Sequence, residues 1–226
     1  MKIKIIVLSV LVLVASGCAT TGKTDPYEGF NRSMMSFNDG ADRAILKPLA
    51  KGYRAITPQF VEDGIGNFFS NLNDPVVALN QLLQGKPGLA VRDTGRFLVN
   101  STIGIGGLFE VADGLGLEKH QEDFGQTFGV WGIGTGPYLV MPFWGPTNPR
   151  DGIGSIVGSF GFAPRYLNDV TSRNLTYALA IIHRRAQLLD AEKLVSGDRY
   201  VFIRDAYLQR RDYLTSDGVV EDEFLD

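Results

Sequence analysis

The stretch from Phe128 to Gly145, FGVWGIGTGPYLVMPFWG, contains no charged residue and is rich in glycine and aromatic side chains. A loop of this composition would be prone to aggregation in water. Pro137 and Pro142 argue against strands in the centre of a sheet, because proline cannot donate to the ladder. The stretch is also too short and too interrupted to cross a bilayer as a helix, which takes about 20 apolar residues.

We name this stretch the uncharged segment and expect lipid to surround it. Its backbone polar groups would then be satisfied by the rest of the protein or by a water-filled cavity. The apolar stretches 97–109 and 153–163 support the same interpretation. A glycine-rich turn packed in an ordinary core is the alternative.

Particular side chains in the uncharged segment suggest two roles. Gly132, Gly134 and Gly136 allow backbone conformations closed to other residues, and with Pro137 and Tyr138 we predict that they form a mobile hairpin. The large aromatic rings suit a membrane–water interface, where the ring is buried and any polar tip finds a partner. These interface candidates are Trp131, Tyr138, Phe143 and Trp144.

The N-terminus has the features of a secretory signal. Residues 1–17 combine two early lysines, an apolar run at 5–14 and small residues before Cys18. The run is too short to span a membrane. The order ASGC resembles a lipobox, whose cysteine is acylated after the signal is cut, and Ala19 in place of aspartate favours outer-membrane sorting. We predict a covalent lipid on Cys18, which anchors stably once two or more chains are attached; an ordinary signal that contains a cysteine is the alternative.

The remaining chain is predicted to form a single all-α domain over residues 25–215. A lipidated tether of residues 18–24 would precede it, and an acidic, flexible tail of residues 216–226 would follow it. Few stretches alternate with a period of two, which disfavours strands. From Ser101 to Phe162 frequent glycines predict short helices joined by Gly/Pro-rich loops, because each interior glycine costs about 1 kcal/mol relative to alanine.

Capping residues and prolines predict where the longer helices begin and end. Asp25, Pro26 and Glu28 predict a first helix, which Lys47-Pro48 should break or kink. A second helix is expected from Gln59 to Leu72, and Asn73-Asp74-Pro75 should start another. The further predicted helices are one from Pro87 through Leu98, one from Val170 to Val195 and a last one capped by Asp198.

No residue pattern indicates catalysis, a metal or a nucleic-acid partner. The two histidines, His120 and His183, lack metal-ligand spacing, and we expect each in a surface or local hydrogen-bonding role. The glycines match neither a nucleophile elbow nor a phosphate-binding loop. The formal net charge is -3, so no basic excess points to nucleic acid. We therefore expect no enzyme activity and no cofactor beyond the lipid on Cys18.

Long blocks of the chain resemble the VacJ/MlaA family of lipoproteins. The blocks follow the family's order and cover most of the mature chain. They are DPYEGFNRSMMSFN (25–38), NDPVVALNQLLQGKP (73–87), RFLVNSTIGIGGLFEVA (96–112), FGQTFGVWGIGTGPYLVMPFWGPTNPRD (124–151), RAQLLD (185–190) and DAYLQRRDYL (205–214).

The resemblance implies a ring-like helical protein with a central channel, seated in the inner leaflet of the outer membrane. It implies removal of mislocalised phospholipid from the outer leaflet and transfer to MlaC, a periplasmic shuttle, beside a trimeric porin. Gly134 and Gly136 match glycines of the family's channel-adjacent hairpin, and Asn38 lies near a region to which the family's gating is sensitive. A structural lipoprotein that tethers porins without moving lipid is the alternative, and a lipid hydrolase with an unrecognised site is a third hypothesis.

Overall fold

The computed structural model describes residues 25–219, and these residues are mostly helical, as predicted. The predicted signal, Cys18, the tether and residues 220–226 lie outside the described part. In chain order the regular elements are α1 (Glu28–Ala41), a π-helical turn (Asp42–Leu46), α2 (Lys47–Ile56), α3 (Gln59–Leu83), α4 (Pro87–Thr102), α5 (Val111–Gly114), α6 (Phe124–Val130), β1 (Leu139–Met141), β2 (Gly145–Thr147), α7 (Pro149–Ser159), a 3₁₀ turn (Ala163–Tyr166), α8 (Val170–Gln187), a second 3₁₀ turn (Ala191–Leu194) and α9 (Arg199–Thr215).

The first helical run does not break at Pro48, but a π-helical turn interrupts it just before that residue. A π-helical turn over Asp42–Leu46 joins α1 to α2, and the Lys47 amide donates to the Asp42 carbonyl. Pro48 is the second residue of α2, a position where the missing N–H costs little. Asp25 does not cap α1: it is buried, and its carboxylate accepts hydrogen bonds from the Tyr27 amide, Asn31 and Tyr200.

One long helix replaces the two that were predicted around Pro75. The prediction that Asn73-Asp74-Pro75 starts a new helix is wrong, because α3 continues through Pro75 to Leu83. Val76 and Val77 are buried directly after the proline, and this packing outweighs the hydrogen bond that proline cannot make. Gly85, with φ of +78°, then ends the turn so that α4 packs back against α3.

The glycine-rich middle of the chain forms short elements, as predicted, but it also contains a small hairpin. Strands β1 and β2 pair antiparallel, with Leu139 opposite Thr147 and Met141 opposite Gly145. The all-α fold class is confirmed for the described residues, and this two-stranded hairpin is a small local addition to it. Pro142 lies in the connecting turn and Pro146 on a two-stranded ribbon whose strands both have a free edge, so neither disrupts a central ladder.

The two C-terminal helices begin where their caps predict, but α8 ends earlier than predicted. Asp198 caps α9 by accepting hydrogen bonds from the Tyr200 and Val201 amides. The α8 helix stops at Gln187, eight residues before the predicted end at Val195, and a 3₁₀ turn follows it. The start of the predicted loose tail is packed, because Asp217 contacts Lys86 and the Ser216 hydroxyl donates to the Val219 carbonyl.

Hydrophobic packing is concentrated where α1, the hairpin and α9 meet. Met35, Tyr138, Val140 and Tyr200 form a buried cluster there. On the other side of α1 and α2, His183 of α8 is buried against Tyr53 of α2, with its Nδ1 3.1 Å from the tyrosine hydroxyl oxygen. The expected local hydrogen-bonding role of His183 is confirmed.

Acidification should destabilise the fold partly through His183. Burial lowers the pKa of its imidazole below the ordinary value, although Glu62 and Asp63 act in the opposite direction. The unfolded chain therefore takes up a proton more readily, and the contribution of His183 is lost as pH falls below about 6.5. Thermal unfolding of wild type and His183→Gln, measured at about pH 7.5 and about pH 5, should show the smaller acid-induced loss in the variant. Equal losses in both proteins would contradict this assignment.

Candidate functional site

The distribution of polar and apolar side chains in the described residues is partly inverted. Among residues 25–219, eighteen polar or charged residues are buried, against eleven hydrophobic ones. Thirty-seven large hydrophobic residues of the same part are exposed, Phe143 to 81%. Single exposed apolar residues are normal in soluble proteins, but neighbouring groups of them mark contact with a partner or a membrane. Such groups occupy residues 103–109, 130–133, 141–144 and 153–160.

One buried polar network lies between α3 and α4. Arg96 is 1% exposed, its Nε is 3.7 Å from the Asp74 carboxylate, and it also contacts Glu110. The Lys119 ammonium lies 3.6 Å from the other Asp74 oxygen. Burial raises the pKa of Asp74 and lowers that of Lys119, while the mutual attraction of the two groups opposes both changes. Buried charges are tolerated when paired in this way, so the network links two apolar-faced helices through polar contacts.

A second, partly buried network fixes both ends of the uncharged segment to α9. Arg211 of α9 donates to Asp123, which caps α6, and to Asp151 in the first turn of α7. Tyr207 donates to Asp151 at 2.9 Å. Burial alone would raise the pKa of Asp123, but the hydrogen bonds from Arg211 hold it below its ordinary value. Both helices that flank the uncharged segment are therefore held by hydrogen bonds from Arg211 to carboxylates.

The uncharged segment leaves α6 through a glycine-terminated turn. Gly132 has φ of +84°, its amide donates to Gly129, and the Ile133 amide donates back to Phe128, which together form a Schellman motif. The indole N–H of Trp131 donates to the Leu83 carbonyl at 3.1 Å, and the ring is 54% exposed. Trp131 thus has a satisfied polar tip and an exposed apolar body, the arrangement expected of an interface aromatic.

The glycines predicted to form hinges differ in their surroundings. Gly136 has φ of +72°, and a Cβ atom there would lie 3.1 Å from the Pro149 side chain. Gly134 lies outside the left-handed region, and a Cβ atom there would have no neighbour within 4 Å. Gly132 and Gly136 therefore need glycine for their conformation, whereas the fold does not demand it at Gly134.

Tyr138 lies in the protein core instead of at an exposed interface. Its ring is 5% exposed among Tyr200, Tyr207 and the rest of the buried cluster, and its hydroxyl has no hydrogen-bond partner within residues 25–219. Its carbonyl accepts a hydrogen bond from Asn31 at 3.0 Å. The prediction of an interface role for this ring is wrong because α9 covers it. Tyr138 follows Pro137 and fixes one end of the short stretch 133–137, which has no regular structure.

The tip of the β-hairpin presents aromatic rings on a strained turn. Phe143 has φ of +60° directly after Pro142, the geometry of a type II turn that normally takes glycine or asparagine at this place. Asn38 of α1 holds the turn: its carbonyl oxygen accepts from the Phe143 amide at 2.7 Å, and its amide donates to the Met141 carbonyl at 2.9 Å. Trp144 is 53% exposed beside it. A large apolar residue therefore occupies a strained, exposed position at the tip of the hairpin.

Sequence reasoning missed Asn31, which holds the base of the same hairpin. Asn31 is fully buried, accepts from the Val140 amide at 2.9 Å and donates to the Tyr138 carbonyl. Asn31 and Asn38 are seven residues apart, so they lie on one face of α1. That spacing could have identified Asn31 from the sequence, because two asparagines on one helical face can both pair with a neighbouring strand.

The described residues contain neither a metal site nor a spanning helix. Within residues 25–219, no group of three or more His, Cys, Asp and Glu side chains could hold a metal ion. In the same range, no helix combines the length and apolarity needed to cross a membrane. His120 lies apart from His183, with its Nδ1 2.8 Å from Asp93, so the expected local role is confirmed for it as well.

Comparisons with known proteins agree on one family. The family described as MlaA lipoprotein matches residues 23–214. The Intermembrane phospholipid transport system lipoprotein MlaA of Escherichia coli K12 is 36% identical over 96% of this chain and 91% of its own length. The protein of the same name in Haemophilus influenzae is 31% identical over 96% and 93% of the two chains. A solved structure described as a structural basis for maintenance of bacterial outer membrane lipid asymmetry superposes with a TM-score of 0.75 at 36% identity, covering 85% of this chain and 100% of that one.

A pair of alanine substitutions should separate the two candidate hinge glycines. Gly136→Ala places a side chain in a left-handed conformation against Pro149 and should lower the free energy of unfolding by about 1 kcal/mol or more. Gly134→Ala, the matched control, should change it by less than about 0.5 kcal/mol. Thermal unfolding of the wild type and the two variants, all in one non-ionic detergent, measures both changes in stability. Equal destabilisation by the two variants would refute the assigned difference in backbone geometry.

Loss of the Asn38 side chain should free the hairpin tip without unfolding the domain. Asn38→Ala removes both hydrogen bonds to the turn, and since each contributes about 1 kcal/mol, amide exchange at Phe143 should accelerate by about tenfold or more. Ser33→Ala is the control, because the Ser33 hydroxyl bonds only within α1. Hydrogen exchange followed by mass spectrometry reports the peptide that contains Phe143. Unchanged protection of that peptide would show that Asn38 does not hold the turn.

Proposed function

The chain belongs to the MlaA lipoprotein family, and from this we propose that it is the lipoprotein of an intermembrane phospholipid transport system that maintains outer-membrane lipid asymmetry. The family match over residues 23–214 and the relatives aligned over nearly the whole chain support this function. The substrate is phospholipid, and its transfer makes or breaks no covalent bond.

The inverted burial pattern is the observation that carries the proposal. Moving a phospholipid between leaflets requires that its headgroup stays hydrated while its tails stay dry. A protein with apolar groups outside and polar groups inside can be seated among acyl chains and still offer a polar route. The buried pair of Arg96 with Asp74 and the partly exposed pair of Arg211 with Asp123 supply polar groups inside the domain, and the exposed rings Phe143 and Trp144 supply apolar exterior. We place the domain in the inner leaflet, with a central channel open to the periplasm.

The lipid anchor and the tether fit this location. An acylated Cys18 would hold the chain in the outer membrane, and only residues 19–24 separate it from Asp25, the first described residue. Asp25 is buried and hydrogen-bonded, so a short tether leads directly into a fixed part of the domain. The domain would therefore be held close to the periplasmic face of the membrane.

Direction and partners complete the proposal. Phospholipid mislocalised in the outer leaflet would pass through the domain to MlaC, the periplasmic shuttle, for return to the inner membrane, beside a trimeric porin. Since no bond is broken, net direction must come from a downstream partner that removes the lipid. Residues 133–137, held by Gly132 at one end and Tyr138 at the other, form the candidate gate of this route.

A deletion strain separates transport from its alternatives. Loss of the chain should leave more phospholipid in the outer leaflet, measured by a lipid A acylation reporter that responds to phospholipid there, and the wild-type gene should restore the normal level. A protein that only tethers porins or envelope layers would cause no such retention. A hydrolase would release lysophospholipid and fatty acid from vesicles mixed with the purified protein, whereas a conduit releases neither. Normal asymmetry in the deletion strain, or release of these products, would contradict the proposal.

A further inference from the structure

We propose that a basic groove between α2 and the turn after α8 binds the phosphate group of an anionic phospholipid headgroup. The groove encloses about 620 Å³ and lies away from the uncharged segment. Four of its lining side chains are cationic: Lys47, Lys51, Arg54 and Lys193. The inference rests on the proposed seating of the chain in a phospholipid bilayer, and it names a headgroup class for which the transport proposal alone gives no reason.

The groove keeps an excess of positive charge after its internal ion pairs are counted. Asp190 and Glu192 are its two lining carboxylates. Asp190 pairs with Arg54 and Lys193, and Glu192 pairs with Lys47. Lys51 has no ion pair or hydrogen bond with another side chain in residues 25–219. Four cations against two carboxylates leave the groove with a net positive charge, which favours an anionic ligand.

The spacing of the cations on α2 makes them converge. Lys47, Lys51 and Arg54 are four and three residues apart, so they share one face of the helix. Lys193 faces them from the 3₁₀ turn across the groove. A phosphate group has several acceptor oxygens, and Lys ammonium and Arg guanidinium groups are the side chains that recognise it best.

The apolar neighbours of the groove place it at a lipid headgroup level. Leu49 and Ile56 lie on another face of α2 and are exposed, Ile56 to 83%. Leu194 follows Lys193 and is also exposed. A short helix with an exposed apolar face and a separate basic face is typical of a membrane interface, where the apolar face meets acyl chains and the cations meet phosphates. This local basic surface occurs on a chain whose overall charge is negative.

Concavity and charge together favour an anionic phospholipid over other anions. A groove of this volume is within the range that holds a small-molecule ligand. A zwitterionic headgroup carries the same phosphate, but its ammonium group would meet a groove of net positive charge. Phosphatidylglycerol carries one negative charge and no headgroup ammonium group, so it meets the net positive charge of the groove without that penalty.

Binding of short-chain lipids to the lipidated full chain in non-ionic detergent tests the proposal. Calorimetric titration with dihexanoyl phosphatidylglycerol should give saturable binding, and Lys51→Gln combined with Lys193→Gln should weaken it by about tenfold, since each charge contributes a few-fold. Arg173→Gln removes one cation from α8 outside the groove and should leave the affinity unchanged. Dihexanoyl phosphatidylcholine and inorganic phosphate should both bind more weakly than phosphatidylglycerol.

Several outcomes would overturn the proposal. Equal weakening by Arg173→Gln would reduce it to a general charge effect. Equal affinity for inorganic phosphate would identify a free-anion site, and binding of an acidic protein without phosphatidylglycerol would identify a protein-docking site. The binding test and the transport test can fail separately. Normal lipid asymmetry in the deletion strain, together with phosphatidylglycerol binding in the groove, would contradict only the transport proposal. Loss of lipid asymmetry in the deletion strain, together with no phosphatidylglycerol binding by the purified protein, would contradict only the groove proposal.

Discussion

A buried charge is tolerated only when protein groups replace the water it has lost, and the interior of this chain is organised around that requirement. Arg96 is held by Asp74 and Glu110 between two long helices, and Arg211 is held by Asp123 and Asp151 where α6, α7 and α9 meet. These polar contacts occupy space that hydrophobic side chains fill in most soluble domains. The apolar side chains that are displaced from the interior lie on the outside, where only lipid or a partner can cover them.

The same organisation divides the uncharged segment into fixed and less constrained parts. Asn31 and Asn38 of one helical face hold the base and the tip of the β-hairpin, and Tyr138 is covered by α9. The Schellman motif at Gly132 fixes the other end. The residues between these points lack regular structure, so a conformational change in the segment would be confined to about one short stretch. The exposed rings on either side keep their positions because their backbones are fixed by the protein.

Part of this arrangement could be read from the sequence, and the rest depended on contacts between distant residues. Caps and prolines predicted the starts of α4 and α9 because those signals act locally, through Pro87 and Asp198. The break expected at Pro75 did not occur because buried contacts of Val76 and Val77 outweigh a local preference. The asparagine contacts to the hairpin join residues more than one hundred positions apart, which no local pattern specifies. The glycine pattern located the uncharged segment, but only the backbone geometry distinguished Gly134 from Gly132 and Gly136.

If acyl chains surround the exposed aromatic residues, the chain's own tryptophans will be in contact with them. Trp131 and Trp144 are the two tryptophans of the sequence, and both lie in the uncharged segment. The lipidated protein would be reconstituted into bilayers with brominated acyl chains, and its indole fluorescence compared with that in unbrominated bilayers; Trp131→Phe and Trp144→Phe assign the signal. We expect strong quenching by the bromines and weak quenching by aqueous iodide for both indoles. Strong iodide quenching with no effect of the brominated chains would contradict it.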